Sequence, residues 1–376
     1  MTIWAGLKTR PIFAAVVGSK QHYPLDASAC FIVALLGYSL RIMKFAHIFL
    51  FVLSLGFCCV GVSHAVSYKY KRVGSDLAAE THIEPGVALM GGGADQKEAF
   101  RWLCGKGNGG DFLILRAHGN DDYNSYVSKT CEMNSVATLI IPDRKAAQEV
   151  KVARIIRLAS VIFIAGGDQA RYVRFWKGTP VQEAINAHVL AGKPIGGTSA
   201  GLAVLSEFVY AATEDQANDA DLSSREVLQD PYIKRVTLER DFLKVPGLEN
   251  TLTDSHFAAR DRMGRSLGFL ARLVADGWSK NPREVALDEK SALLVEVDGR
   301  AKVVGTGMGA YFLQVTDAPE VCKPGQPLTL HNFAVYHAPT GATFDIREWS
   351  GDGGAAYSIS VEAGQIHTSR AGNVVY

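Results

Sequence analysis

The chain has 376 residues, 39 Lys and Arg against 38 Asp and Glu, and a sequence pI of about 7.7. That balance excludes a general nucleic-acid binder, whose footprint is a basic excess clustered on one face. Its 37 Gly and 13 Pro are ordinary amounts that exclude collagen-like, low-complexity and disordered chains, and 6 Cys are too few for a disulfide scaffold.

The apolar residues are unevenly spread. Met43 and Lys44 precede an apolar stretch from His47 to Val62 that closes on Ser63-His64-Ala65. A positive start, an apolar run and small residues at the end describe a secretory signal peptide over residues 43–65. The run is short of the roughly 20 apolar residues of a spanning helix, so an uncleaved anchor is the alternative. Neither Cys58 nor Cys59 sits in a lipoprotein pattern. Residues 1–42 hold a second apolar patch, Cys30 to Leu36, and no pattern leading into a fold, so they read as an upstream extension, with translation starting at Met43. Without residues 1–65 the chain keeps 34 basic and 37 acidic side chains, a net charge of −3. Cys104, Cys131 and Cys322 then remain in a compartment that permits disulfides. Cys104 and Cys131 are the candidate pair by proximity; three buried thiols are the alternative.

From about residue 85, short apolar runs alternate with amphipathic ones. Val87–Met90 leads into Gly91-Gly92-Gly93 and a helical stretch with Ala99, Phe100 and Leu103. Phe112–Leu115, Val136–Ile141 and Val161–Ala165 read as strands, with a helix expected over Ala146–Leu158. Continuous apolar strands separated by helices predict a doubly wound, mostly parallel α/β sheet buried on both faces. Ligands bind such sheets beyond the carboxyl ends of the strands. Glycines fall just there, at Gly91 to Gly93, Gly166-Gly167 and Gly196-Gly197. After about Ala286 the pattern turns to short strands: Ser291–Val297, Ala301–Val304, Tyr311–Val315 and Leu328–Tyr336. A Gly-rich stretch from Pro339 reads as an edge hairpin or loose tail. With no repeat and no linker, the expected organisation is one catalytic domain over 85–300 and a β-rich C-terminal extension over 301–376.

Pro194-Ile195-Gly196-Gly197-Thr198-Ser199-Ala200-Gly201 has the form of a nucleophile elbow. A sharp strand-to-helix turn strains the serine backbone and needs small residues at both ±2 positions. It would present the Ser199 hydroxyl at a helix N-terminus, where backbone N–H groups stabilise an oxyanion. The bland reading is a tight turn between a strand and a helix.

A nucleophilic serine needs a base. Of His82, His118, His188, His256, His331, His337 and His367, His256 stands out for its company, Asp254-Ser255-His256-Phe257-Ala258-Ala259-Arg260-Asp261-Arg262-Met263-Gly264-Arg265. If His256 opens a helix, Arg260, Met263, Leu267 and Leu270 share its face, and an arginine on an apolar stripe should meet a carboxylate of protein or ligand. Arg262 and Arg265 read equally as substrate cations or as a wet helix face. Asp288 and Glu289, closing a strand-like run, are candidates for the acid that orients the imidazole, against the plainer reading of turn acids. The order Ser, His, acid disfavours an α/β-hydrolase, which runs Ser, acid, His and would use Gly91–Gly93 as its oxyanion loop, unless His331 or His337 served instead. No zinc-protease motif and no P-loop occurs. Gly305, Gly307 and Gly309 lie in a β-rich region and say little about nucleotides.

Four ordered segments together, Ile164-Ala165-Gly166-Gly167-Asp168-Gln169, Gly196–Gly201, the stretch from Asp254 to Arg265, and Asp288-Glu289, resemble the cyanophycinases, grouped with dipeptidase E among serine peptidases. The resemblance spans roughly residues 85–300. It implies a fold similar to class I glutamine amidotransferases, Ser199 as nucleophile, His256 as base and Glu289 as acid. It further implies that Gln169, Asp254, Arg260, Arg262 and Arg265 line the substrate pocket. The expected oxyanion donors are the N–H groups of Gly167 and Ala200. The family's substrate is cyanophycin, an aspartate polymer with arginine on its side chains, released as β-Asp-Arg dipeptides. The leader suggests the extracellular branch. One position departs from the pattern: Ser255 stands where cyanophycinases usually carry Gln, which leaves an isoaspartyl or Asp-Xaa dipeptidase as the alternative. A non-catalytic binding protein on the same fold is the rival from another class. The expectation includes no cofactor, no metal, no nucleic-acid partner and no membrane association after signal cleavage. An aspartate-rich peptide or dipeptide is the expected partner, and a homodimer is left open.

Overall fold

The computed structural model of the protein describes residues 67–215 and 220–376, so the leader expected over residues 43–65 and the extension before it lie outside the described residues. The chain opens with β1 (Lys69–Gly74) and β2 (Val87–Met90), then α1 (Lys97–Gly107), β3 (Asp111–Arg116), α2 (Asp122–Thr130) and β4 (Ser135–Ile140). Two helices follow, α3 (Arg144–Ala147) and α4 (Val150–Leu158), where the sequence pattern suggests one. Next come β5 (Val161–Ile164), α5 (Gln169–Trp176), α6 (Pro180–Leu190) and β6 (Ile195–Thr198). Caps fix the starts of the last two helices. Asp168 accepts a hydrogen bond from the Ala170 N–H at 2.9 Å, and Thr179 accepts one from the Val181 N–H with Pro180 in the first turn.

Strands β4, β3, β5, β6 and β2 lie side by side in parallel. Their alternate residues face two cores. Leu113, Leu115, Ile162 and Ile164 pack with Val152, Ile156, Trp176 and Ile185 on one side. Phe112, Ile114, Val161 and Phe163 pack with Phe100 and Leu103 of α1 on the other. Burial on both faces is why these strands read as unbroken apolar runs.

The second half departs from one mostly parallel sheet. After β6 come β7 (Phe208–Tyr210), α7 (Ser224–Gln229), β8 (Leu238–Arg240), β9 (Thr251–Asp254), α8 (Met263–Ala275) and β10 (Arg283–Leu287). The remaining strands are β11 (Ser291–Val295), β12 (Arg300–Gly305), β13 (Ala310–Gln314), β14 (Leu330–Ala338), β15 (Thr343–Asp345), β16 (Ser350–Asp352), β17 (Ala355–Glu362) and β18 (Gln365–Thr368). A ten-stranded sheet runs β1-β4-β3-β5-β6-β2-β11-β12-β15-β16, and an eight-stranded one runs β18-β17-β14-β13-β10-β9-β7-β8. The parallel core is thus flanked by antiparallel strands, and the second sheet is parallel only between β7, β9 and β10. The physical reason lies in the connections: β11–β12, β15–β16 and β17–β18 are joined by short turns, which can join only antiparallel neighbours. Val285, Leu287 and Phe312 of the second sheet join the core of the first, while Ala286, Tyr311 and Leu313 face α8. The residues from Pro339 form two hairpins, β15–β16 and β17–β18, at the edges of the two sheets. The corner between β10 and β11 carries the chain from the second sheet into the first, and the candidate site is built there.

Candidate active site

Ser199 follows β6 of the first sheet with φ of +53°, a left-handed conformation uncommon outside glycine. The two flanking glycines make room for it. A Cβ built on Gly197 would stand 2.5 Å from the Gly201 carbonyl oxygen, and one on Gly201 would stand 2.0 Å from that of Ile164. The continuation is not the α-helix expected from sequence: Ser199–Gly201 is a single 3-10 turn. One turn supplies little helix dipole, so any oxyanion stabilisation rests on individual N–H groups.

His256 follows β9 of the second sheet, with φ of +49°. It does not open a helix; α8 starts only at Met263, and residues between them form a tight loop. The expected shared face of His256 and Arg260 is therefore absent. The loop is pinned from within. His256 N–H donates to the Gly91 carbonyl at 2.8 Å, and the N–H groups of Ala258 and Ala259 both donate to Asp288 Oδ1, at 3.0 and 2.8 Å. Asp288 is thus a loop-holding acid.

The three side chains meet in series. Ser199 Oγ lies 2.8 Å from His256 Nε2, and His256 Nδ1 lies 2.6 Å from Glu289 Oε1. Glu289 belongs to the β10–β11 corner, so the row joins the end of one sheet, the end of the other and the crossing between them. His331 and His337 take other partners: His331 pairs with Glu320, and His337 with the Met308 carbonyl. Burial lowers the His256 pKa, the hydrogen bond it donates to Glu289 opposes this, and the positive charges of Arg260 and Arg262 lower it further; the net value is below the usual 6.5. The hydrogen bond to His256 lowers the Glu289 carboxyl pKa. A neutral imidazole between a hydroxyl and a carboxylate can take the hydroxyl proton.

Gly91–Gly93 has a role that sequence reasoning missed. A Cβ on Gly92 would stand 2.4 Å from His256 Cε1, and one on Gly93 would stand 3.1 Å from Glu289 Oε2. Gly92 and Gly93 thus back the imidazole and the carboxylate of the row, while Gly91 lies against the Asp288 carbonyl. Gly166 instead abuts the serine, with its virtual Cβ 3.4 Å from Ser199 Cβ.

A cavity of about 590 Å³ opens in front of Ser199. Gly167, Gln169, Ala200, Asp254, Ser255, His256, Arg260, Arg262 and Arg265 all line it. The arginines are less available than the sequence suggests, and neither Arg262 nor Arg265 is on a wet helix face. Arg265 is 2% exposed and grips both oxygens of Asp254, at 2.8 and 2.6 Å. Arg262 reaches Asp254 Oδ1 at 3.2 Å, the Ser255 carbonyl at 2.8 Å and Asp221 Oδ2 at 2.6 Å. Asp254 is itself buried: desolvation favours its neutral form, but Arg265 and Arg262 outweigh this and lower its pKa. Arg260 is half exposed and bonds to Asp221 at 3.2 Å. Asp221 was missed, lying in a polar stretch with no signal around it. Partial burial raises its pKa, yet Arg262, Arg265 and Arg260 bring it down to about 2. The cavity also presents Asp168, Asp215, Arg171 and Arg174, so both signs of charge face the serine.

On the far side of the first sheet Cys104 of α1 and Cys131 after α2 are joined in a disulfide, and Cys322 is a buried thiol.

Comparison with known proteins bears on this site. Residues 115–229 match the family described as Peptidase family S51. The chain is similar to a cyanophycinase of Synechococcus elongatus, 30% identical over 226 residues that make up 57% of this chain and 62% of that protein. A cyanophycinase of Geminocystis herdmanii (strain PCC 6308) is 26% identical over 272 residues, 68% of this chain and 91% of that protein. The chain therefore spans less than two thirds of the length of the first of these relatives. Among solved structures, a peptidase from an acI-B1 Actinobacterium superposes with a TM-score of 0.43 at 17% identity, covering 63% of this chain and 96% of that one.

Proposed function

We propose that the chain is a member of peptidase family S51, the cyanophycinase and dipeptidase E-like peptidases to which it is similar, and that it is a secreted serine exopeptidase that cleaves cyanophycin to β-Asp-Arg dipeptides. The observation that carries the reading is the continuous row from Ser199 Oγ through His256 to Glu289 Oε1 at 2.8 and 2.6 Å. Ser199 attacks the scissile carbonyl carbon while its proton passes to His256 Nε2. The N–H groups of Gly167 and Ala200 receive the oxyanion. His256 then protonates the departing amine, leaving an acyl-enzyme that water hydrolyses with His256 again as base. Glu289 accepts the Nδ1 proton bond throughout, holding the tautomer and stabilising the imidazolium.

The mixed charge of the cavity supports a substrate unit that carries both a carboxylate and a guanidinium. Arg260, half exposed, exchanges its bond to Asp221 for a substrate carboxylate, while Arg262 and Arg265 hold the wall behind it. Gln169 and Asp254 complete the proposed pocket. The proposal includes the amidotransferase-like arrangement of the parallel core, the β-rich addition over 301–376 and export by the 43–65 leader.

Ser255 supports a second reading. It is buried, lines the cavity and places its hydroxyl 3.5 Å from Arg262 Nη1, where the resemblance leads one to expect the longer Gln. A lost pocket amide changes specificity by orders of magnitude when its partners are buried, which favours an isoaspartyl or Asp-Xaa dipeptidase.

Incubation with cyanophycin and with a panel of β-Asp and α-Asp dipeptides separates these. Release of β-Asp-Arg from the polymer is expected; release from α-linked substrates alone would overturn the cyanophycinase assignment and leave a peptidase. Unchanged turnover in Ser199→Ala would remove the mechanism. A folded protein that a fluorophosphonate leaves unlabelled at Ser199 would be a binding protein. Export is checked by sequencing the N-terminus of secreted protein, expected just after Ala65.

A further inference from the structure

The loop that carries His256 is held from within at its start, but its far end meets something else. Two of its non-glycine residues are left-handed, His256 at φ +49° and Asp261 at φ +48°. Such conformations persist only where surrounding contacts over-determine them. Around His256 those contacts are the Gly91 carbonyl and Asp288. Around Asp261 they come from the Ser224 hydroxyl, which donates to the Asp261 carbonyl, and from Tyr376, the last residue of the sequence. Its hydroxyl accepts the Met263 N–H at 2.7 Å and donates to Asp261 Oδ1 at 3.0 Å. One O–H group thereby satisfies an otherwise orphan donor in the first turn of α8 and ties down the left-handed residue before it.

The ring of Tyr376 adds a second hold. It stands edge-on to Phe257, centroids 5.8 Å apart at 85°, and to Tyr311, 5.9 Å at 89°. Phe257 is fully buried and adjoins His256 in the chain. Tyr376 is in turn anchored: the Tyr357 hydroxyl donates to the Val375 carbonyl at 2.7 Å, and Asn373 Oδ1 accepts the Thr368 N–H at 2.7 Å. The β17–β18 hairpin therefore presents this side chain on a fixed support.

We propose that Tyr376 is a positioning residue for His256, setting the loop between β9 and α8 so that Nε2 stays within reach of Ser199. The inference rests on reading His256 as the base of Ser199. Misplacement of a catalytic group by about 1 Å can cost on the order of 100-fold in rate, and loss of two hydrogen bonds at the loop's end permits such drift.

The test follows fluorophosphonate labelling of Ser199 in the intact chain, separating the maximal inactivation rate from the apparent affinity of the reagent. Tyr376→Phe, which keeps the ring, is expected to lower the maximal rate about 3–10-fold, and Tyr376→Ala about 10–100-fold. Reagent affinity and the folded fraction by circular dichroism should stay unchanged. Hydrogen exchange at the Met263 amide should quicken in both variants. Rates equal to the unaltered chain in both variants, or a loss that follows only the unfolded fraction, would overturn the proposal. So would unchanged exchange at Met263, whatever the labelling shows. If the unaltered chain is not labelled at Ser199, the catalytic reading itself fails, and the exchange data still report whether Tyr376 holds the loop.

Discussion

The imidazole of His256 occupies the space that a side chain at residue 92 would need. A Cβ built on Gly92 would stand 2.4 Å from Cε1 and 2.5 Å from Nε2, and the backbone there has φ of +92°. Gly92→Ala should therefore push the ring off Ser199 while leaving the sheets intact. A loss of about 100-fold in Ser199 labelling is expected, with an unchanged far-UV spectrum. Labelling at the rate of the unaltered chain would mean that the loop absorbs the methyl group.

How this relationship escaped sequence reasoning is physically clear. The parallel core was legible because its strands are buried on both faces and so read as unbroken apolar runs, as Phe112–Leu115 and Val161–Ile164 do. The elbow was legible because the space around Ser199 demands glycine at 197 and 201. The division into two sheets was not, since pairing of β9 with β10 and of β11 with β2 is decided between distant segments, and strand runs carry no label of their partner. Gly91–Gly93 was visible as a motif, but which group lies against it depends on that pairing. The fate of Arg262 and Arg265 was hidden for a related reason. Asp254 and Asp221, which take their charges, lie at 11 and 41 residues' remove from Arg265 and Arg262 respectively.

The pH dependence of labelling follows from the surroundings of His256. Burial and the charges of Arg260 and Arg262 lower its pKa below 6.5, against the opposing bond it donates to Glu289. The ring stays neutral, and so able to act as base, down to a pH below 6.5. The acid limb of the rate profile should have its midpoint there. Arg260→Gln removes one of the depressing charges, so that midpoint should rise. Glu289→Gln should lower the rate by about 10²–10⁴-fold through loss of the tautomer lock. An acid limb centred above 6.5, or one that Arg260→Gln shifts downward, would contradict this electrostatic account.

Arg265 and Asp254 form a buried pair, 2% and 5% exposed, with two hydrogen bonds between them. Removing one partner of such a pair leaves the other's charge uncompensated and typically costs about 3–5 kcal/mol. Arg265→Met should lose stability on that scale in urea unfolding, even though Arg262 still reaches Asp254. Asp254→Asn, which leaves two arginines facing each other, should also be destabilised. If Arg265→Met kept the urea midpoint of the parent, the pair would hold the cavity wall without stabilising the fold.

Glu284 of β10 is wholly buried beside this pair, with the Ser266 hydroxyl donating to Oε1 at 2.6 Å and Oε2 without a partner. Burial, then the nearby charge of Asp254, raise its pKa well above 4.5. The folded chain therefore keeps this proton over a range where the unfolded chain, ionising near 4.5, has released it. Folding takes up a proton in that window, so stability falls as pH rises from the unfolded value toward the folded one. Glu284→Gln keeps the shape and the acceptor for Ser266 but cannot titrate. The variant should match the parent near about pH 4 and become progressively more stable than it toward neutrality, as thermal midpoints measured across that range would show. A stability difference that stays constant with pH would mean that Glu284 ionises alike in both states, and that the burial seen around it does not govern its proton.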